Sequence, residues 1–148
     1  MKAFNKFNLM WVLFLSLLVA GTGYAQSTCD LKGFVTYTQG GWGSKSNSGP
    51  GRVRDQYFSS VFPNGVVVGS NNKLTLTSAA AVQSFLPAGG KPSYFSQNYT
   101  NATSTSAGVF AGQLVSLAMN IAYDNAGKTG TNSKKLEDLV IVSGTFAG

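Results

Sequence analysis

The sequence predicts a small α+β domain with short antiparallel strands, one short helix and one longer central helix. Three observations predict it. Short β-prone runs punctuated by Gly, Asn and Pro recur between residues 34 and 76, a strong helical period spans residues 109 to 123, and the 123 residues after an export leader suffice for a single core.

The leader is residues 1 to 25. Lys2 and Lys6 supply the positive end, Leu9 to Ala20 an apolar stretch too short to span a bilayer comfortably, and Gly23-Tyr24-Ala25 the small residues of a signal-peptidase site. Cleavage after Ala25 leaves residues 26–148 as one secreted or outer-surface domain with no transmembrane segment. Cys29 follows Gln26-Ser27-Thr28 instead of the cleavage point, which argues against a lipid anchor. As the sole cysteine it cannot close an internal disulfide, so it is either a free thiol or a partner for a cysteine elsewhere.

Phe34 to Thr38 alternates apolar with polar positions and predicts a first strand ending at Gly40-Gly41. The glycine-rich run 40–51 predicts a long loop carrying Trp42. From Val53 to Phe62, Val53, Tyr57, Phe58 and Phe62 approximate a helical stripe that Pro63-Asn64-Gly65 stops. Val66–Val68 and Leu74–Leu76 predict a hairpin turning at Gly69-Ser70-Asn71-Asn72. Thr77 or Ser78 can cap a short helix from Ala79 to Leu86 that Pro87 and Gly89-Gly90 end. Residues 91–108 read as a polar surface loop with Tyr94, Phe95 and Tyr99 as isolated aromatic anchors. Val109 to Tyr123 is the strongest helix, its expected inward stripe being Phe110, Leu114, Leu117, Ala118 and Ile121. Leu139 to Val142 predicts a last strand. The chain stops soon after, at Phe146-Ala147-Gly148, as expected of a truncated product or of a first module.

The chemical inventory is narrow. There is no histidine, which removes the commonest general base and metal ligand, and one cysteine excludes thiolate zinc sites. The acids are Asp30, Asp55, Asp124, Glu137 and Asp138, with no spacing that marks a glycosidase pair; Lys134 and Lys135 can neutralise Glu137 and Asp138. Ala126-Gly127-Lys128-Thr129 imitates the end of a P-loop but lacks the upstream glycine and follows a helix, so it predicts a helix-ending turn. Asp124, Asn125, Thr129 and Asn132 offer oxygens in an order unlike an EF-hand, so a capping turn is expected there too. Asn98-Tyr99-Thr100 and Asn101-Ala102-Thr103 match the N-glycosylation sequon, which has meaning only in a cell that adds N-glycans. No cofactor is implied. Without the leader, nine Lys or Arg face five Asp or Glu, a net +4 dispersed along the chain, which suits solubility and not a nucleic-acid groove.

Trp42 is the only tryptophan outside the leader. Two readings stand. An exposed indole could stack on a sugar face or anchor a protein contact, with Tyr37, Gln39 and Lys45 as polar companions; alternatively the flanking glycines bend the chain so that Trp42 enters the core.

The run Tyr37-Thr38-Gln39-Gly40-Gly41-Trp42-Gly43, followed by Phe62-Pro63-Asn64-Gly65, Leu74 to Ala79, Phe85-Leu86-Pro87 and Ala111-Gly112-Gln113-Leu114, resembles a TQGGWG branch of the TQGYW-type exported surface modules, largely of Bacteroidetes. The resemblance runs from about Cys29 to the end and supplies no catalytic residue. The broader branch has Tyr-Trp after Thr-Gln-Gly and a nearby histidine, whereas this chain has Gly41-Trp42 and none. The resemblance implies a further helix after the Ser143-to-Gly148 segment, whose continuation could hold a partner for Cys29. The expected function is a noncatalytic secreted or cell-surface module for surface assembly or adhesion, bound to a surface protein or glycan. The alternatives are a glycan-binding module using Trp42 and, less favoured, a carboxylate-dependent glycan hydrolase.

Overall fold

The computed structural model describes residues 31–47 and 49–140. The leader, the Ala25 cleavage point, Cys29, Asp30 and residues 141–148 lie outside the described residues.

The architecture is α+β: among the described residues there are four α-helices and a three-stranded mixed sheet. Residues 34–38 form no strand. The backbone N–H and C=O of Tyr37 are both taken by the Asn120 side-chain amide, at 2.8 and 3.0 Å, so at this residue one asparagine supplies the bonds that a neighbouring strand would have made. The predicted glycine-rich loop is also more regular than expected. Thr38 caps helix α1 (Gln39–Trp42) through its hydroxyl to the Gly41 N–H, and helix α2 runs over Gly49–Val61, starting four residues before the expected Val53. Pro50 is tolerated in that first turn because its missing N–H would have no helical partner there. Gly51 is required where it stands, since a Cβ would strike the carbonyls of Ser44 and Lys45.

On α2 the inward face is Gly51, Arg54 and Phe58, with Val53 and Tyr57 half-buried. Arg54 is wholly buried, and its guanidinium donates to the carbonyls of Trp42 and Ser44 (the latter at 3.0 Å), to Gln83 Oε1 at 3.0 Å and to Asp55 at 2.6 Å. The cation is thereby satisfied inside the domain and ties α1, the following loop and the next helix together.

The hairpin is as predicted: β1 (Val66–Gly69) pairs antiparallel with β2 (Lys73–Leu76), Val66 opposite Leu76 and Gly69 opposite Lys73. Val66, Val68, Leu74 and Leu76 point inward, while Val67 faces out. Helix α3 (Ala79–Phe85) follows, capped by the Ser78 hydroxyl, which accepts from Ala81 N–H at 3.1 Å. The segment 91–108 is an ordered surface loop as expected, but it contributes strand β3 (Tyr99–Thr100), which pairs parallel with β2. Two asparagines extend that short pairing. Asn98 Oδ1 accepts from Lys73 N–H, and Asn101, in the left-handed region at φ 50°, accepts from Thr77 N–H.

Helix α4 (Val109–Asn125) packs on β1 and on α1. Its end is the predicted turn: Gly127 is at φ 64°, and the N–H groups of Ala126, Gly127 and Lys128 return to carbonyls of the last helical turn. Leu136–Asp138 then makes a 3-10 turn against α4. Leu139 and Val140 form no strand, and the other half of that predicted strand lies outside the described residues.

Candidate functional site

The four residues singled out around Trp42 do not assemble into a surface site. Trp42 is fully buried, its indole stacked on Tyr123 at 4.8 Å and meeting the Tyr37 ring edge-on at 5.2 Å. Its Nε1 donates to Asn120 Oδ1 at 3.0 Å, the same oxygen that accepts from the Tyr37 backbone. Gln39 is buried too: its Oε1 accepts from Ala88 N–H at 3.0 Å and its Nε2 donates to the Val109 carbonyl at 3.4 Å. Tyr37 is half-buried and Lys45 exposed. Of the two readings of Trp42, the geometry is that of the core, because an indole with both faces covered has none to offer a sugar.

The central helix is turned the other way round from its expected orientation. The buried side of α4 is Ala111, Gly112, Val115, Ser116, Met119, Tyr123 and Asp124. At 100° per residue, the predicted stripe of Phe110, Leu114, Leu117, Ala118 and Ile121 centres on roughly the opposite side. Phe110 stays 46% and Leu117 56% exposed, with Leu114, Ala118 and Ile121 partly covered. The small residues decide the orientation. Gly112 lies so close to the Gln39 amide that a Cβ would collide with it, and Ala111 is fully covered, so this side of the helix makes the close approach.

Beside the N-terminal half of this outward face is an open hollow of ≈ 510 Å³, lined by Gly69 to Asn72 of the hairpin turn and by Tyr94, Phe95, Phe110 and Leu114. Tyr94 is 78% exposed, yet its backbone is fixed. The Ser106 hydroxyl donates to the Tyr94 carbonyl at 2.8 Å, Ser93 N–H to the Ala107 carbonyl at 3.2 Å, and Ser96 N–H to the Ser106 hydroxyl at 2.9 Å. Asn72 Nδ2 donates to the Phe95 carbonyl at 2.8 Å, joining the turn to the aromatic segment. Among the described residues no carboxylate, ammonium or guanidinium lines the hollow. A second hollow of ≈ 320 Å³ flanks α4 at Thr36, Tyr37, Thr38, Gln113, Ser116, Leu117 and Asn120.

Three of the four described carboxylates, Asp55, Asp124 and Asp138, are occupied elsewhere. Asp55 accepts from Arg54 Nε and the Ser46 hydroxyl; partial burial pushes its carboxyl up, and the hydrogen bonds and the Arg54 charge outweigh it, leaving it below its ordinary value. Asp124 is buried, its Oδ2 accepting from Leu136 N–H at 2.8 Å and its carbonyl from Lys135 Nζ at 2.9 Å. Asp138 faces the Lys135 N–H at 3.4 Å. Tyr123 has its phenol pushed up by burial, and its hydroxyl donates to the Arg54 carbonyl at 2.9 Å. Among the described residues no three His, Cys, Asp or Glu gather as a metal site, and no helix is long and apolar enough to cross a membrane.

No family model, curated protein or solved structure matches this chain.

Sequence reasoning named Tyr94 only as an anchor and Phe110 and Leu114 only as core. The usable signal was the set of small residues Ala111, Gly112 and Ser116 on one side of α4. Small side chains mark where a helix packs closest, so the larger apolar residues opposite them are the ones left outside.

Proposed function

We propose that this chain is a noncatalytic module acting in surface assembly or adhesion outside the producing cell, an exported surface module of the kind its Tyr37-to-Gly43 run resembles. The observation that carries the reading is the outward face of α4 together with the hollow: Phe110, Leu114 and Leu117 lie at successive turns, and the exposed Tyr94 stands across from the first two. Large apolar groups grouped at a surface are a usual sign of an interaction site, and aromatic anchors dominate such contacts. The commitment of Asp55, Asp124 and Asp138 to structural partners further supports binding over carboxylate chemistry. The leader supports export, and the partner is a surface protein or glycan.

The test is retention of fluorescently labelled protein on whole cells of the producing strain, comparing the natural sequence with Phe110→Ser/Leu117→Ser. Both side chains are half-exposed, so the variant is expected to melt as the natural protein does and to be washed off the cells. Equal retention of the two proteins would reject the reading.

A further inference from the structure

We infer that the hollow between the hairpin turn and α4 is a binding site for a neutral glycan, with Tyr94 and Phe110 as stacking faces and the 70–72 turn as the hydrogen-bonding rim. The inference rests on the reading of this face as the module's contact surface and specifies what it holds.

Three features of the lining select the ligand class. The first is shape and charge: ≈ 510 Å³ falls among the sizes of small-ligand sites, about 300–1,000 Å³, and with no charged side chain among the described lining residues these offer no counter-ion to an acidic or basic ligand. The second is the aromatic pair. Tyr94 and Phe110 both line the hollow and both are substantially exposed, and the C–H face of a pyranose is the neutral, flat, weakly polarised surface that stacks on such rings.

The third is the rim. No described partner engages the side chains of Ser70 and Asn71 or the Tyr94 hydroxyl, and Asn72 spends its Nδ2 on the Phe95 carbonyl while its Oδ1 is uncommitted. Two hydroxyls and the Asn71 amide, which both donate and accept, together with the Asn72 Oδ1 acceptor match sugar hydroxyls, which do the same. A protein partner with a dry apolar plug would leave this rim unpaired.

The site is also pre-formed. The Tyr94 backbone is held by the Ser106 hydroxyl on its carbonyl and by the adjacent Ser93 N–H to Ala107 carbonyl bond, and Phe110 stands on the first turn of a 17-residue helix. Fixing the backbone that carries an exposed ring before the ligand arrives lowers the ordering cost of binding, leaving the Tyr94 side-chain rotamer to be ordered.

The experiment is an amide chemical-shift titration of the exported chain with cellohexaose, laminarihexaose, mannohexaose and chitohexaose. The expected result is saturable shifts at residues 69–72, 94–95 and 110–114 with at least one of these sugars. Tyr94→Ala and Phe110→Ala are each expected to weaken that binding about tenfold or more, while the natural protein's melting temperature is retained. Absence of saturable shifts with all four sugars, or shifts centred elsewhere, overturns the inference. If Tyr94→Ala abolishes retention on cells and no sugar shifts the spectrum, the occupant is a protein: the glycan assignment falls while the contact surface stands. If Tyr94→Ala is retained like the natural protein and no sugar binds, both readings fall.

Discussion

Replacing Asn120 by Ala removes one side chain and should loosen three parts of the domain together. Its Oδ1 accepts from Tyr37 N–H at 2.8 Å and Trp42 Nε1 at 3.0 Å, and its Nδ2 donates to the Tyr37 carbonyl at 3.0 Å. Each bond contributes about 1 kcal/mol net, and an indole N–H stranded in a buried site costs a further ~1 kcal/mol or more, whereas the half-buried Tyr37 backbone can regain water. The sum is about 3–4 kcal/mol, a large share of the stability of a domain this size. At a specific unfolding entropy of ~2.1 cal/mol/K per residue, that lowers the melting temperature by about 14 °C. Urea denaturation followed by far-UV circular dichroism checks the loss. Trp42→Phe supplies the second leg of a double-mutant cycle, because it keeps a ring and deletes the donor; the coupling with Asn120→Ala should be about 1 kcal/mol. A loss below about 1 kcal/mol for Asn120→Ala, or no coupling to Trp42→Phe, would refute the reasoning, since it would mean that the bridge does not hold the 34–38 segment to α4.

Other substitutions follow from the same packing. Gly112→Ala should destabilise by about 1–3 kcal/mol in thermal melts, because its Cβ would displace the Gln39 amide from Ala88 N–H and the Val109 carbonyl. Asn101→Ala should cost about 1–2 kcal/mol, since it removes the acceptor for Thr77 N–H and leaves a β-carbon residue at φ 50°; Asn101→Gly should relieve the backbone part of that cost in the same melts. Asp55 is held below its ordinary carboxyl range, so its contribution to stability is present above the unfolded value of 3.8 and is lost as pH falls through its lower folded value. Asp55→Asn should therefore flatten the acid limb of a stability-against-pH curve below about pH 4 while lowering stability at pH 7.

Local chemistry was legible where a single turn or cap decided the outcome. Gly69 to Asn72 forced the hairpin, Ser78 capped α3, and Gly127 closed α4, each through contacts within a few residues. The misread elements depend on partners far along the chain. Phe34 to Thr38 has strand composition, but Asn120, 83 residues from Tyr37, takes the backbone groups of Tyr37 instead. The glycine-rich run 40–51 reads as loop until Arg54 is seen holding the Trp42 and Ser44 carbonyls, and Gly43 and Gly51 are seen pressed against neighbouring backbone. Helix α4 is apolar over much of its circumference, so its period announced a helix without naming the buried side. Tyr94 and Phe110, 16 positions apart with strand β3 between them, line the same hollow, and nothing in the local pattern around either residue records that placement.

The most direct test of the account is hydroxyl-radical footprinting of the chain, free in solution and bound to cells. The free protein should be labelled at Tyr94, Phe110 and Leu117 and protected at Trp42, Met119 and Tyr123, with protection of Tyr94 and Phe110 appearing on binding. Labelling of Trp42 in the free protein, or binding that leaves Tyr94 and Phe110 as reactive as before, would contradict it.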